Sequence, residues 1–173
     1  MGWGVTPPRL LFVCTGNATR SLIAQSLVRR DRPDWEVTSA GTWAIPGLPS
    51  SRRTLAGLQA VGVSAPGHRS TTLTRAHIDD AALIIGFEVD HIRHIRRMSP
   101  DAADRTATLP RLLLPDWPHV DLAAEDPRTW PEVVDPAGGD ADIFVACAQV
   151  IAGQVEDLLL RIDERGIGPS LSG

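Results

Sequence analysis

The chain of 173 residues has no lysine, only two cysteines and few aromatic residues. With lysine absent, all 17 basic residues are arginine, a pattern read as a compositional bias of the genome rather than a functional signal. Those arginines form no long basic run, and the formal net charge is -4. Together these exclude the clustered positive surface that a nucleic-acid backbone requires. Two cysteines, Cys14 and Cys147, are too few for a disulfide framework and fit no zinc spacing, so a reducing cytoplasm is expected and no metal site is. The apolar stretch near the N-terminus, "LLFV", is far shorter than a signal-peptide core, and no other segment is expected to be long enough to cross a bilayer. The opening "MGWGVT" fits a loose N-myristoylation pattern, but so short a pattern matches often by chance and is discounted.

What is present suits one globular domain spanning 1–173, since 43% of the residues are apolar and 22% charged. Short apolar runs alternate with helical periodicity, the signature of βα units that build a parallel sheet. Strands are expected at Arg9–Val13, at "WEVTSAG" ending in Gly41 and at "AALIIGF", with "RTATL" a weaker candidate. Helices are expected at "SLIAQSLVRR", where Ile23 and Leu27 share a face, at "SSRRTLAGLQAVG" with serine caps, and at "EVDHIRHIRRM". From Pro110 to Gly139 the chain is rich in Pro, Asp and Trp without a period and reads as a long functional loop. The stripe Val155, Leu158, Leu159 and Ile162 marks a closing helix from Asp140.

Between the first strand and the first helix lies "VCTGNATRS", the position where open α/β sheets place ligand sites. A turn there aims several backbone N–H groups at one anion, with the positive end of the helix dipole behind them, and Gly16 allows close approach of the backbone. The same donors would stabilise a thiolate on Cys14 and make it a nucleophile. Arg20 supplies a planar fork for two phosphate oxygens, and Ser21 can donate to the sulfur as it leaves phosphorus. With 17 arginines in the chain, a Cys followed six positions later by Arg is weak by itself. The strand end, the glycine, the serine and the following amphipathic helix raise it well above a buried inert cysteine.

The stretch "VCTGNATRSLIAQSL" resembles the active-site loop of the low-molecular-weight protein tyrosine phosphatases, with its pattern C-x-G-N-x-x-R-S. Further blocks, "SAGTWAIPG", "GHR", "LIIGFEVDHIRHI" and "DPAGGDADIF", resemble the family's later segments in the same order. The resemblance implies an α/β fold: an open four-stranded parallel sheet of order 2-1-3-4 flanked by helices, a flavodoxin-like three-layer sandwich. It implies phosphate held by Thr15, Gly16, Asn17, Ala18, Thr19 and Arg20, and thiolate attack by Cys14. Asp135, followed by Pro136, matches the general acid. Asp126, followed by Pro127, is a competing pair held in reserve, because only Asp135 precedes the Gly-Gly and Phe144 that lead into the last helix. Asn17, Ser21, Ser39 and His68 match residues that brace the loop, and Trp43 and Ile45 match the rim of the substrate cleft.

Three departures bear on specificity. Thr19 stands where many relatives carry a second cysteine, Ala137 where many carry an aromatic after Asp-Pro, and Glu88 where an Asp is frequent. Without that aromatic, a stacking wall for a phenyl ring is missing. Cys147 is expected to be a small buried hydrophobe. The expected activity is hydrolysis of phosphotyrosine or a related phosphate monoester through a phosphocysteine, on a phosphorylated protein or a small phosphate ester. No cofactor, metal, nucleic acid or membrane is expected to take part. A single-cysteine, thiol-dependent arsenate reductase is the alternative, because the same loop accepts any tetrahedral oxyanion. A phosphate-dependent binding module without turnover is a third reading.

Overall fold

The computed structural model describes residues 8–165, so the opening "MGWGVT" lies outside the described residues. Four strands, β1 (Arg9–Cys14), β2 (Glu36–Gly41), β3 (Leu83–Gly86) and β4 (Thr106–Thr108), form one sheet of order β2-β1-β3-β4. Every pairing is parallel: Cys14 lies opposite Gly41, Val13 opposite Gly86, and Gly86 opposite Thr108. The central strand β1 is apolar on both faces because helices cover both. Leu10, Phe12 and Cys14 join one buried cluster, while Leu11 and Val13 join another on the opposite side.

Five α-helices complete the layers: α1 (Arg20–Asp31), α2 (Arg52–Ala60), α3 (Arg75–Asp80), α4 (Val89–Met98) and α5 (Ala141–Arg165). The first cluster contains Leu22, Ile23 and Leu27 of α1 and Ile151, Val155 and Leu158 of α5. The second contains Ile78 of α3 and Ile95 of α4. Ser51 caps α2 by accepting from the Thr54 N–H at 3.1 Å. Gly57 lets α2 approach α5, since a Cβ there would lie 3.1 Å from the Phe144 carbonyl and 3.3 Å from the Ala148 Cβ.

The structure departs from the sequence reading at several points. Strand β1 runs one residue further than expected and includes Cys14, while β3 is shorter than the apolar run that contains it. Helix α3 was not expected. The segment expected as a long loop contains two short 3-10 helices, Pro110–Leu113 and Pro127–Thr129, and buries Leu112, Trp117, Leu122, Trp130 and Val133. Side chains order it: Arg111 pairs with Asp116 at 2.9 Å and with Glu125, which accepts the Trp130 indole N–H at 2.7 Å. The expectation that no segment could cross a bilayer also needs correction, because α5 is long and apolar enough by composition. Its apolar stripe, Ala148, Ile151, Val155, Leu158, Leu159 and Ile162, is seated in the core.

Candidate active site

Strand β1 delivers Cys14 to the C-terminal end of the sheet with only 3% of its surface exposed. The loop that follows turns its carbonyls outward. The Cys14 and Thr15 carbonyls accept from the N–H groups of Thr42 and Trp43, both at 2.9 Å. The Asn17 carbonyl accepts from His68 Nε2 at 2.8 Å, that of Ala18 from the Thr54 hydroxyl at 3.1 Å, and that of Thr19 from the Ile23 N–H at 2.9 Å. In a trans peptide the next N–H points opposite its carbonyl. The N–H groups of Thr15, Gly16, Ala18, Thr19 and Arg20 therefore point away from these partners, leaving them free to face an anion at the N-terminus of α1. Donors so placed can act together as an oxyanion cradle. Of the six residues assigned to phosphate from the sequence, Asn17 alone is not among these donors.

Asn17 instead braces the turn from within. It is fully buried with a φ of 51°, a left-handed conformation that Asn adopts more readily than most residues. Its Nδ2 donates to Ser21 Oγ at 3.0 Å and Ser39 Oγ at 2.9 Å, and its Oδ1 accepts from the Thr71 N–H at 2.9 Å. Ser21 Oγ lies 3.0 Å from Cys14 Sγ. That oxygen accepts from Asn17, and its own hydrogen is within reach of the sulfur. His68 donates from Nε2 to a carbonyl, which can only accept, so that nitrogen carries the hydrogen. All four bracing residues named from the sequence are thus brought to the loop.

Gly41, at the end of β2, packs directly under the turn. A Cβ there would lie 2.6 Å from the Thr15 carbonyl oxygen and 2.8 Å from the Asn17 nitrogen. Thr19 Oγ1 meets Thr54 Oγ1 at 2.9 Å, so the residue in the second-cysteine position ties the loop to α2.

Arg20 is 2% exposed, and both terminal nitrogens have partners. Its Nη1 donates to the Val133 carbonyl at 2.8 Å, and its Nη2 lies 2.7 Å from Glu88 Oε2 and 3.3 Å from Asp135 Oδ2. The segment carrying Asp135 is anchored by the Val133 N–H, which donates to the Phe87 carbonyl at 2.8 Å. The other Asp135 oxygen, Oδ1, accepts from the Ala137 N–H at 3.0 Å. Asp126, the competing residue, is bound up locally: it accepts from the Arg128 N–H at 3.0 Å and pairs with the Arg128 side chain. The Arg128 hydrogen bonds hold its carboxyl down to about 2, which makes it a poor proton donor. The structure brings Asp135 to Arg20 and leaves Asp126 on its own turn.

Both rim residues are exposed, Trp43 at 74% and Ile45 at 65%. Trp43 is held to the cradle by its N–H on Thr15 and meets the His94 ring edge-on at 5.7 Å. Val134, beside Asp135 in the chain, is 81% exposed, which the sequence reading did not anticipate. That reading also missed the roles of Glu88 and Val133 in holding Arg20, and of His91, which lies 3.0 Å from Thr15 Oγ1. Only the three-residue spacing of Glu88, just before α4, and His91, in its first turn, gave a signal. Cys147 is half-buried near the Val134 carbonyl, and burial pushes its thiol up to about 11, so it stays protonated and unreactive. Among the described residues, no group of three or more His, Cys, Asp or Glu side chains could hold a metal ion.

Comparison with known proteins places this geometry in context. Residues 9–166 match the family model described as low molecular weight phosphotyrosine protein phosphatase. A protein-arginine-phosphatase of Geobacillus stearothermophilus is 32% identical over 160 residues, covering 92% of this chain and 96% of that one. The low molecular weight protein-tyrosine-phosphatase Etp of Escherichia coli K12 is 32% identical over 97 residues, 56% of this chain and 66% of that one. Among solved structures, the YwlE arginine phosphatase from Geobacillus stearothermophilus superposes with a TM-score of 0.79 at 28% identity, covering 96% of this chain and all of that one.

Proposed function

The chain belongs to the low molecular weight phosphotyrosine protein phosphatase family and is a cysteine-dependent phosphatase, and from that premise we propose roles for its residues and a class of substrate. Cys14 Sγ attacks phosphorus in line with the leaving atom. As the bond from phosphorus to that atom breaks, its electron pair departs on the leaving atom, which takes a proton from Asp135. The inward N–H groups and Arg20 hold the phosphoryl oxygens while negative charge redistributes over them. Water then attacks the phosphocysteine and gives its proton to Asp135. The S–P bond breaks, its electron pair returns to sulfur, and the Ser21 hydroxyl stabilises the thiolate as inorganic phosphate leaves.

The observation that carries these roles is the ion pair of Arg20, at the end of the turn that begins with Cys14, and Asp135 at 3.3 Å. Thiolate, arginine and carboxyl supply nucleophile, charge and proton, so the scheme has no step for a metal. The test is hydrolysis of p-nitrophenyl phosphate by wild type and Cys14→Ser in metal-free buffer. Turnover by the wild type and none by Cys14→Ser is expected. A wild type that binds phosphate but does not turn over would overturn the assignment.

The substrate proposed is a phosphorylated protein side chain. Phosphotyrosine is one candidate, and phosphoarginine is favoured as a second by two observations. Ala137 offers no ring to stack on a phenyl group, and the carboxylates of Glu88 and Asp135 lie together at Arg20, where a cationic leaving group would be accommodated. The relative matched over most of this chain also carries the name of an arginine phosphatase. The proposed setting is the cytoplasm, with the chain working as one domain and binding neither nucleic acid nor membrane. The charge balance and the scarcity of cysteine support that setting.

A further inference from the structure

His91 is a buried histidine that the scheme above does not use. It is 1% exposed, at the start of α4, and its ring nitrogens face different partners. Nδ1 lies 3.1 Å from the Phe87 nitrogen and 3.0 Å from the Glu88 nitrogen. Both of those are N–H donors, so Nδ1 must be an acceptor and carry no hydrogen. Burial and the positive charge of Arg20 push the ring down to about 3, so it stays neutral and its one hydrogen sits on Nε2. That nitrogen lies 3.0 Å from Thr15 Oγ1 and 3.5 Å from Glu88 Oε2.

The direction of the bond to Thr15 is therefore settled: His91 donates and the Thr15 hydroxyl accepts. This is the bond that Thr15 Oγ1 makes among the described residues. Its own hydrogen is not consumed by His91 and remains to be given elsewhere. Thr15 is half-buried, follows the nucleophile directly and contributes an inward N–H to the cradle. Glu88, within reach of the same imidazole nitrogen, bonds Arg20 Nη2, the nitrogen that also faces Asp135. His91 thus joins the side chain of the first cradle residue to the carboxylate that holds the last.

We propose that His91 is a positioning residue for this reaction: it fixes the Thr15 hydroxyl as an acceptor, so that Thr15 donates its own hydrogen to a phosphoryl oxygen in the loop. Thr15 is then a side-chain donor to the transition state, additional to the backbone cradle and Arg20. The inference rests on the phosphatase chemistry assigned above. It also accounts for a hydroxyl residue directly after the nucleophile, where the backbone cradle alone makes no demand on the side chain.

The test uses the full chain, with kcat/KM for p-nitrophenyl phosphate and inhibition by orthovanadate, a mimic of five-coordinate phosphorus. Thr15→Val removes the donor with little change in shape. His91→Asn keeps an acceptor for the Phe87 and Glu88 N–H groups, because its side-chain oxygen can take the place of Nδ1, but removes the Nε2 donor. Each variant is expected to lower kcat/KM about tenfold, the value of one hydrogen bond to a charged group, and to weaken vanadate inhibition in parallel. The double variant is expected to be no worse than either single one, because both break the same link. Thr15→Ser should restore most of the activity. The proposal is overturned if Thr15→Val keeps wild-type kcat/KM, or if the two losses multiply. Should His91→Asn fail to fold, the comparison of Thr15→Val with Thr15→Ser decides alone. A wild type without turnover would sink the phosphatase reading itself, whereas an active wild type with an indifferent Thr15 sinks only this inference.

Discussion

Arg20 Nη1 donates to the backbone carbonyl of Val133 at 2.8 Å, joining the turn after Cys14 to the segment that carries Asp135. Since a carbonyl rather than a side chain accepts this bond, the acid segment is held where Arg20 is held. Glu88 and Asp135 share the other terminal nitrogen of the same guanidinium. The geometry of Asp135 therefore depends on a planar, forked cation at position 20, which lysine cannot imitate.

Asp135→Asn should lower kcat by roughly 10²–10⁴-fold on an alkyl phosphate, whose leaving oxygen needs a proton. The loss should be smaller on p-nitrophenyl phosphate, whose leaving group departs as a stable anion. Asp126→Asn should leave kcat unchanged, because that carboxylate serves its own turn through Arg128. Steady-state kinetics on both substrates separate the two aspartates.

Gly41→Ala should damage the turn without touching any catalytic group. Its Cβ would fall 2.6 Å from the Thr15 carbonyl oxygen, and backbone cannot move aside as a flexible side chain can. Overpacking of this kind costs about 1–3 kcal/mol. For a chain of this size that corresponds to a melting temperature lowered by roughly 2–12 °C. Calorimetry should show the drop, and phosphate should stabilise the variant less than the wild type.

Asn17→Ala removes three side-chain hydrogen bonds and places alanine at a φ of 51°. The combined cost should be about 3 kcal/mol. Denaturant unfolding measures it, and the affinity for inorganic phosphate should fall with it, since Ser21 and the Asn17 carbonyl lose their fixed positions.

Buried His91 gives stability a pH dependence whose sign is fixed. Its ordinary value of 6.5 falls to about 3 in the folded chain. Below 6.5 the unfolded chain takes up a proton that the folded chain refuses, so stability is full above that pH and is lost as pH falls toward 3. The slope can reach about 1.4 kcal/mol per pH unit. The carboxyls of Asp31 and Glu125 are held below their ordinary 3.8 and 4.5 by Arg30 and Arg111, so their own losses begin at lower pH. Between pH 6.5 and about 4.5, His91→Asn should show a shallower decline in melting temperature than the wild type. His94, also held down by burial, is present in both and cancels in the comparison.

The parts of this fold that were legible in the sequence share one property: their signals are local. "LLFV" followed by Gly16, Asn17 and a helical period announced a strand, a turn and a helix within a few residues of one another. Asp135 was separable from Asp126 by the Gly-Gly and Phe144 beside it. Helix α3 was missed because six residues make less than two turns, too few for a period to register. The order in the segment from Pro110 to Gly139 was missed because Arg111, Asp116, Glu125 and Trp130 create it by pairing across the segment, and such pairing leaves no periodic trace. Glu88 and His91 reach the site from α4, so their roles lie in the tertiary arrangement and not in their neighbours.

The two groups that complete Arg20 through the Val133 carbonyl and the Glu88 carboxylate lie far downstream of it. On a chain made from its N-terminus, the turn of Cys14 leaves the ribosome well before either of them. A nascent chain stopped short of Val133 carries the nucleophile but not the proton donor, and its arginine has lost a backbone anchor. The surroundings of Arg20 are thus complete only in a chain that extends past Asp135.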